Sequence, residues 1–287
     1  MKIHPTAIVS TDADLADSVE IGPLAIIESG VRIDSGCRLA GQVVVKENTT
    51  IGSDTMIHEG AVIGGLPQHT NMPEHCGSVV IGRRNTIREH VTVHLGLEED
   101  GVTRIGDDCL LMVGSHVAHD CKVGNHAILT NHVLLGGFVE IGERACLGGD
   151  VAVHQFCRVG RLSMVGGCAR VVQDVPPFVL TDGQSCMVVG LNRIGLRRAG
   201  FDRYDVTQLK EAYQLIYRQG LSHEETLAAL EVRFLEGPVS EFAPFFRQGK
   251  RGFVQERRCP PKAAIRLHRT DDSETGRSGK VADRQAG

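Results

Sequence analysis

The chain of 287 residues has no tryptophan and an aromatic share of 4%, so any core it builds is narrow and aliphatic rather than filled with rings. No apolar run approaches the ~18 residues of a membrane span. The start, Met1-Lys2-Ile3-His4-Pro5, lacks the apolar stretch of a secretory signal, which makes the cytoplasm the expected compartment. A net charge of −4 and a pI near 6.3 leave no basic footprint for a nucleic-acid partner. Nine cysteines are present, yet no Cys-x-x-Cys pair, which argues against zinc-ribbon and thiol-redox motifs; no metal site is expected.

What the sequence does contain is a repeat. An aliphatic returns every sixth residue at Val9, Leu15, Ile21, Ile27 and Ile33, and is still in phase at Leu129, Leu135, Ile141, Leu147 and Val153. Two residues earlier the side chain is mostly small, as at Ala7, Cys37, Cys109, Cys121 and Ala145, so both positions point to one side of a strand. Hexads of this kind mark a parallel β-helix whose triangular coil closes after three hexads. Residues eighteen apart then stack at about 4.8 Å. The cysteines at the small position are read as reduced, buried space-fillers.

The repeat predicts a mainly β protein of about nine coils. Two polar excursions, Pro67 to Ser78 and Leu97 to Val102, interrupt it, each occupying whole hexads. Loops of that sort, reaching out from a rigid frame, often carry function. At Val175-Pro176-Pro177 the repeat stops, because consecutive prolines cannot feed a sheet ladder. Apolar spacing then predicts a helix over 205–219, a second opened by Ser222 and Glu225 as a capping box and ending near Gly237, and a third over 240–251. The division expected is a β-helix over 1–190, an α-helical domain over 191–255 and a disordered polar tail over 256–287.

The stacking rule also locates a candidate site. His119 falls at a corner after inward Val117, Gly137 lies eighteen residues on and Gln155 eighteen beyond that. An imidazole one coil from a glycine amide offers a base for a nucleophile and a donor for an oxyanion. A solvated corner would give the same pattern. A zinc lyase would need three histidines converging between subunits, whereas His116 and His119 diverge on a β corner.

Local words sharpen this. His116-Val-Ala-His119-Asp120-Cys121, Val153-His154-Gln155-Phe156-Cys157, Val165-Gly166-Gly167-Cys168, Gln173-Asp174-Val175-Pro176-Pro177 and Asn192 through Phe201 (NRIGLRRAGF) resemble the UDP-N-acetylglucosamine 3-O-acyltransferases of lipid A biosynthesis. The resemblance spans roughly residues 3–253. It implies a left-handed coil, a homotrimer with sites between prisms, and direct transfer of a fatty acyl group, a 3-hydroxyacyl group, from acyl carrier protein to the sugar 3-position, with no cofactor of the protein's own. By it His119 is the general base and Gly137 the oxyanion donor; Asp120, adjacent in the motif, is a candidate to orient or polarise that corner. Gln68, His154, Gln155, Asn192 and Arg198 match positions that hold the UDP-sugar, and Gly167 with His116 borders the acyl-chain pocket. Cationic Arg193, Arg197, Arg198 and Arg203 offer a landing surface for the acidic carrier.

Departures cluster near the sugar. His69 and Asn71 stand where the family has Asp and Lys, Leu95 where it has Arg, Phe138 where it has His, and Ile194 where it has an acidic residue. They keep two alternatives open: a related UDP-amino sugar acylated on a 3-amine, or a trimeric homologue that has lost catalysis.

Overall fold

The computed structural model describes residues 1–257. Twenty-six short strands, most of two residues, wind into three parallel sheets before a final pair closes the coil. Sheet 1 holds eleven strands from Lys2–Ile3 to Val188–Leu191, sheet 2 nine from Ile8–Val9 to Arg170–Val171, and sheet 3 eight from Asp14–Leu15 to Arg158–Val159. Together they form the left-handed parallel β-helix.

Register follows the stacking rule. Ile3 pairs with Ile21 and Ile21 with Leu39; higher up, Leu111 pairs with Leu129 and Leu147 with Val165. The excursions lengthen the step without breaking it. Ile57 pairs with Ile87, thirty residues on, and Ile87 with Leu111, twenty-four on, which are insertions of two hexads and of one. The inward aliphatics from Ile21 to Val171 make one continuous buried column, and Cys37, Cys109, Cys121 and Cys157 are buried within it.

Most corners turn through a residue with positive φ, including Asp120, Phe138 and Phe156. Left-handed backbone suits Asn, Asp, His and Gly, and a bulky ring there is unusual. The two excursions pack on each other, with the Gly77 amide donating to Gly96 O and the Ser78 amide to Gly101 O.

Above the prolines one more strand, Val179–Thr181, still pairs with Met164–Val165, and Val188–Leu191 returns antiparallel to it. Phe178, fully buried, begins a second apolar cluster with the helices. These are α1 (Arg193–Arg198), α2 (Arg203–Arg218), α3 (His223–Arg233) and α4 (Phe242–Arg247). Asn192, Asp202 and Ser222 cap the first three, and both halves of the Ser222–Glu225 capping box are made.

Three boundaries differ from expectation. The short α1 carries too few apolar positions to register as a periodic segment. α3 ends at Arg233, because Phe234 leaves helical geometry and turns into the core. The last helix is a 3-10 turn, Pro238–Glu241, followed by six residues of α-helix, well short of Arg251. Residues 1–256 form one compact unit. Glu256 is anchored by Tyr213 at 2.8 Å and Arg218 at 2.7 Å; the rest of the proposed tail, except Arg257, lies outside the described residues.

Candidate active site

The edge between sheets 2 and 3 carries the candidate chemistry. His119 follows the strand His116–Val117, and is 8% exposed rather than solvated. The second excursion covers it. The Leu97 amide donates to Asp120 Oδ2 at 3.0 Å, and the Asp120 amide donates to Thr103 Oγ1 at 2.8 Å.

Asp120 would face away from His119 on a flat strand. Its φ of 60° swings the carboxylate back instead, and Oδ2 lies 2.8 Å from His119 Nδ1. A carboxylate only accepts, so Nδ1 is the nitrogen that carries a proton, and Nε2 is the one turned toward Gly137. That ring lies over Gly137. A Cβ built on Gly137 would sit 2.5 Å from His119 Cε1 and 2.6 Å from Nε2, so glycine is required by close approach. The Gly137 carbonyl accepts from the Phe156 amide at 3.0 Å, while among the described residues its own N–H has no acceptor. Free amides recur at this corner position in most coils. At Gly137 the His119 imidazole lies against the residue and no side chain screens its amide.

Aromatic groups flank the pair. Phe138 meets His119 edge to face, centroids 5.3 Å apart, and stacks on Phe156 at 4.9 Å. His69, from the first excursion, approaches the other side at 6.0 Å, and Gln68 beside it is exposed. One coil above Gly137, His154 and Gln155 are exposed, and Arg251 reaches them from beyond α4: its guanidinium contacts His154 Nδ1 and donates to Gln155 O at 3.0 Å. Nothing in the sequence pointed to Arg251, since it comes from ninety-six residues away in the chain.

His116 occupies the outer face of sheet 2, Nδ1 2.7 Å from Thr92 Oγ1 and its ring perpendicular to that of His94 at 4.8 Å. Burial pushes the pKa of His116 down. His94, which has a buried Nδ1 without a partner, is driven to about 4, by burial first and then by the neighbouring charges of His116 and His119. Leu95 beside it is buried.

The remaining candidates lie on other edges of the same prism. Gly167 is exposed on the edge between sheets 1 and 2. Asn192 sits near the edge between sheets 3 and 1, where its amide caps α1 through Gly195 N at 3.0 Å and donates to Leu162 O at 2.8 Å. Arg198 ends α1 and is exposed, as is Ile194. One chain therefore gathers His119, Asp120, Gly137, His154 and Gln155, but not Gly167, Asn192 or Arg198, beside one another.

Comparison with known proteins identifies the family. Residues 103–137 match the bacterial transferase hexapeptide family, and residues 174–254 match the second domain of UDP-N-acetylglucosamine O-acyltransferase. The acyl-carrier-protein–UDP-N-acetylglucosamine O-acyltransferase of Burkholderia orbicola is 42% identical over 262 residues, covering 88% of this chain and 99% of that one. The crystal structure of the Moraxella catarrhalis UDP-N-acetylglucosamine O-acyltransferase superposes with a TM-score of 0.86 at 39% identity, over 89% of this chain and 100% of that one. The Francisella novicida UDP-N-acetylglucosamine acyltransferase gives 0.86 at 34% identity, over 93% and 100%. With a relative this similar matched along nearly its whole length, the chain belongs to the UDP-N-acetylglucosamine O-acyltransferase family.

Proposed function

We propose that this protein transfers a 3-hydroxyacyl group from acyl carrier protein to the 3-hydroxyl of UDP-N-acetylglucosamine, the first step of lipid A biosynthesis. The observation that carries the mechanism is the His119–Asp120 contact at 2.8 Å with the imidazole over the Gly137 amide. His119 Nε2 takes the proton of the sugar hydroxyl as its oxygen attacks the thioester carbonyl. The Gly137 N–H receives the developing oxyanion. Collapse breaks the C–S bond, and the thiolate leaves with the proton returned from His119. Positioned bases contribute about 10²–10⁴ in rate, and single oxyanion donors about 10²–10³. The donor is already an activated thioester, so no further cofactor enters the scheme.

A trimer completes the site. The outer face of sheet 3 is largely charged, through Asp14, Arg32, Arg104, Lys122, Glu140 and Arg158, whereas sheets 1 and 2 present Leu110, Ile128, Met164, Ile26 and Leu134, with charge at Lys2, Glu20, Arg38 and Arg170 toward their ends. Placing the edge between sheets 1 and 2 on a threefold axis packs sheet 2 of one prism on sheet 1 of the next. His119 then comes beside a neighbour's Asn192 and Arg198. The acyl chain would run inward over His116 and Leu134 toward Gly167. No helix among the described residues is long and apolar enough to cross a membrane, and the cytoplasm, where the carrier is found, is the compartment we assign.

The test is turnover of carrier-bound 3-hydroxyacyl groups with UDP-N-acetylglucosamine and with its 3-amino counterpart, wild type against His119→Ala. Loss of at least two orders of magnitude in kcat is expected for the hydroxyl acceptor. Equal, negligible turnover in both proteins would support the non-catalytic alternative.

A further inference from the structure

Of the nine phenylalanines in the chain, seven are buried or half-buried and two are exposed, Phe138 at 39% and Phe156 at 51%. Both occupy corner positions in left-handed backbone, with φ of 60° and 65°. Corresponding corners elsewhere carry Asn48, Asp54, Asp108 and His126, residue types that tolerate this geometry, and also Leu24, Gln42, Arg84, Arg144 and Leu162; a pair of stacked rings occurs at Phe138 and Phe156. A bulky ring there is disfavoured by its backbone, and exposure denies it the gain of burial. Their positions are fixed by the ladder: the Phe138 amide donates to His119 O, and the Phe156 amide to Gly137 O, each at 3.0 Å. The rings lie 4.9 Å apart and 11° from parallel, forming an apolar wall two coils high whose lower ring abuts the His119 imidazole.

We infer that Phe138, backed by Phe156, is a specificity-determining residue that packs against the C–H face of the acceptor's pyranose ring and so presents its hydroxyl to His119. The inference rests on the acyl-transfer reading and deepens it. Direction decides which substrate meets the wall. Phe138 follows Gly137 on the side of sheet 3, whereas Leu134 and His116 lie on the other side, over sheet 2, along the route to Gly167. The acyl chain and the wall therefore diverge from the oxyanion amide. In the cleft between this corner and the neighbouring prism, what remains next to Phe138 is the molecule whose oxygen must reach His119 Nε2. A pyranose suits such a wall, because its polarised C–H bonds meet the electron-rich face of an aromatic ring.

Calorimetric titration of the intact protein with UDP and with UDP-N-acetylglucosamine separates hexose from nucleotide contacts. Phe138→Ala is expected to weaken UDP-N-acetylglucosamine about tenfold, which is about 1.4 kcal/mol, while leaving UDP within about twofold. Phe138→Tyr, which keeps the ring, should restore the hexose increment. Phe156→Ala should weaken it less, and the double variant little more than Phe138→Ala alone, because the two rings act as one unit. In turnover the KM for the sugar nucleotide should rise and that for the carrier thioester should not. Equal loss for both ligands, or no loss for either, would overturn the inference. A wild type that binds both ligands but moves no acyl group would instead overturn the reaction assigned above, and leave the wall intact.

Discussion

A carboxylate that turns back onto its own sequence neighbour needs a corner, and Asp120 has one. Its Oδ2 serves His119 Nδ1 and the Leu97 amide together, so it fixes both the tautomer of the imidazole and the loop that shields it. Asp120→Asn keeps the shape but replaces an obligate acceptor with a group that can also donate. The expected result is a fall in kcat on the order of 10² or more, with the KM of either substrate little changed, read by steady-state kinetics. Gly137→Ala adds a methyl where His119 already stands, 2.5 Å from Cε1, and should displace the ring. Its activity should drop as far as that of His119→Ala, while its melting temperature moves only slightly.

His94 gives a separate, pH-dependent prediction. Its pKa falls from 6.5 to about 4 in the folded chain, so the unfolded chain binds the proton more readily between these values. Stability from this group is complete above about pH 6.5 and is lost as pH falls toward 4, by on the order of 3 kcal/mol in all. Urea unfolding of wild type and His94→Gln should therefore converge between pH 7 and pH 4.5. Parallel curves would show that His94 does not sense the acid.

At the scale of elements, most of the fold could be read from the chain. Hexads fix which side chains enter the prism, so the strands, their register and the alignment of His119, Gly137 and Gln155 followed from counting. The excursions were visible as polar hexads, but not their destination: burial of the corner depends on Leu97 meeting Asp120, a contact with no periodic signature. Asn192 was legible only through family resemblance, and the structure adds that its amide is already engaged in capping α1. Arg251 was missed because long-range contacts between a terminal segment and a coil leave no local pattern.

The joint between coil and helices is likewise tertiary. Asp174 is fully buried, accepts from Arg158 N, Nε and Nη2 at 2.7–2.9 Å, and holds the guanidinium that also donates to Phe245 O at 2.7 Å. Removing one member leaves a buried charge unpaired, which costs about 3–5 kcal/mol. Asp174→Ala should lower the denaturation midpoint accordingly and expose α4 to proteolysis before the coil.

For the whole molecule, charge is distributed in a way that a single prism does not use. Arg193, Arg197, Arg198 and Arg203 are exposed around α1, and among the described residues none has a carboxylate partner. Salt bridges elsewhere on the surface are numerous, and under the proposed reaction, with Arg198 turned to the neighbouring site, the unpaired Arg193, Arg197 and Arg203 suit an acidic carrier. Attraction of this kind acts mainly on encounter and is screened by salt. Arg193→Glu with Arg203→Glu should raise the KM for the carrier-bound donor by about tenfold at low ionic strength, and the difference should shrink as salt is added. A small thioester such as acyl-CoA does not present the carrier's acidic surface, so its KM should change far less. Were both donors affected equally, the arginines would be acting on the site itself and not on docking of the carrier.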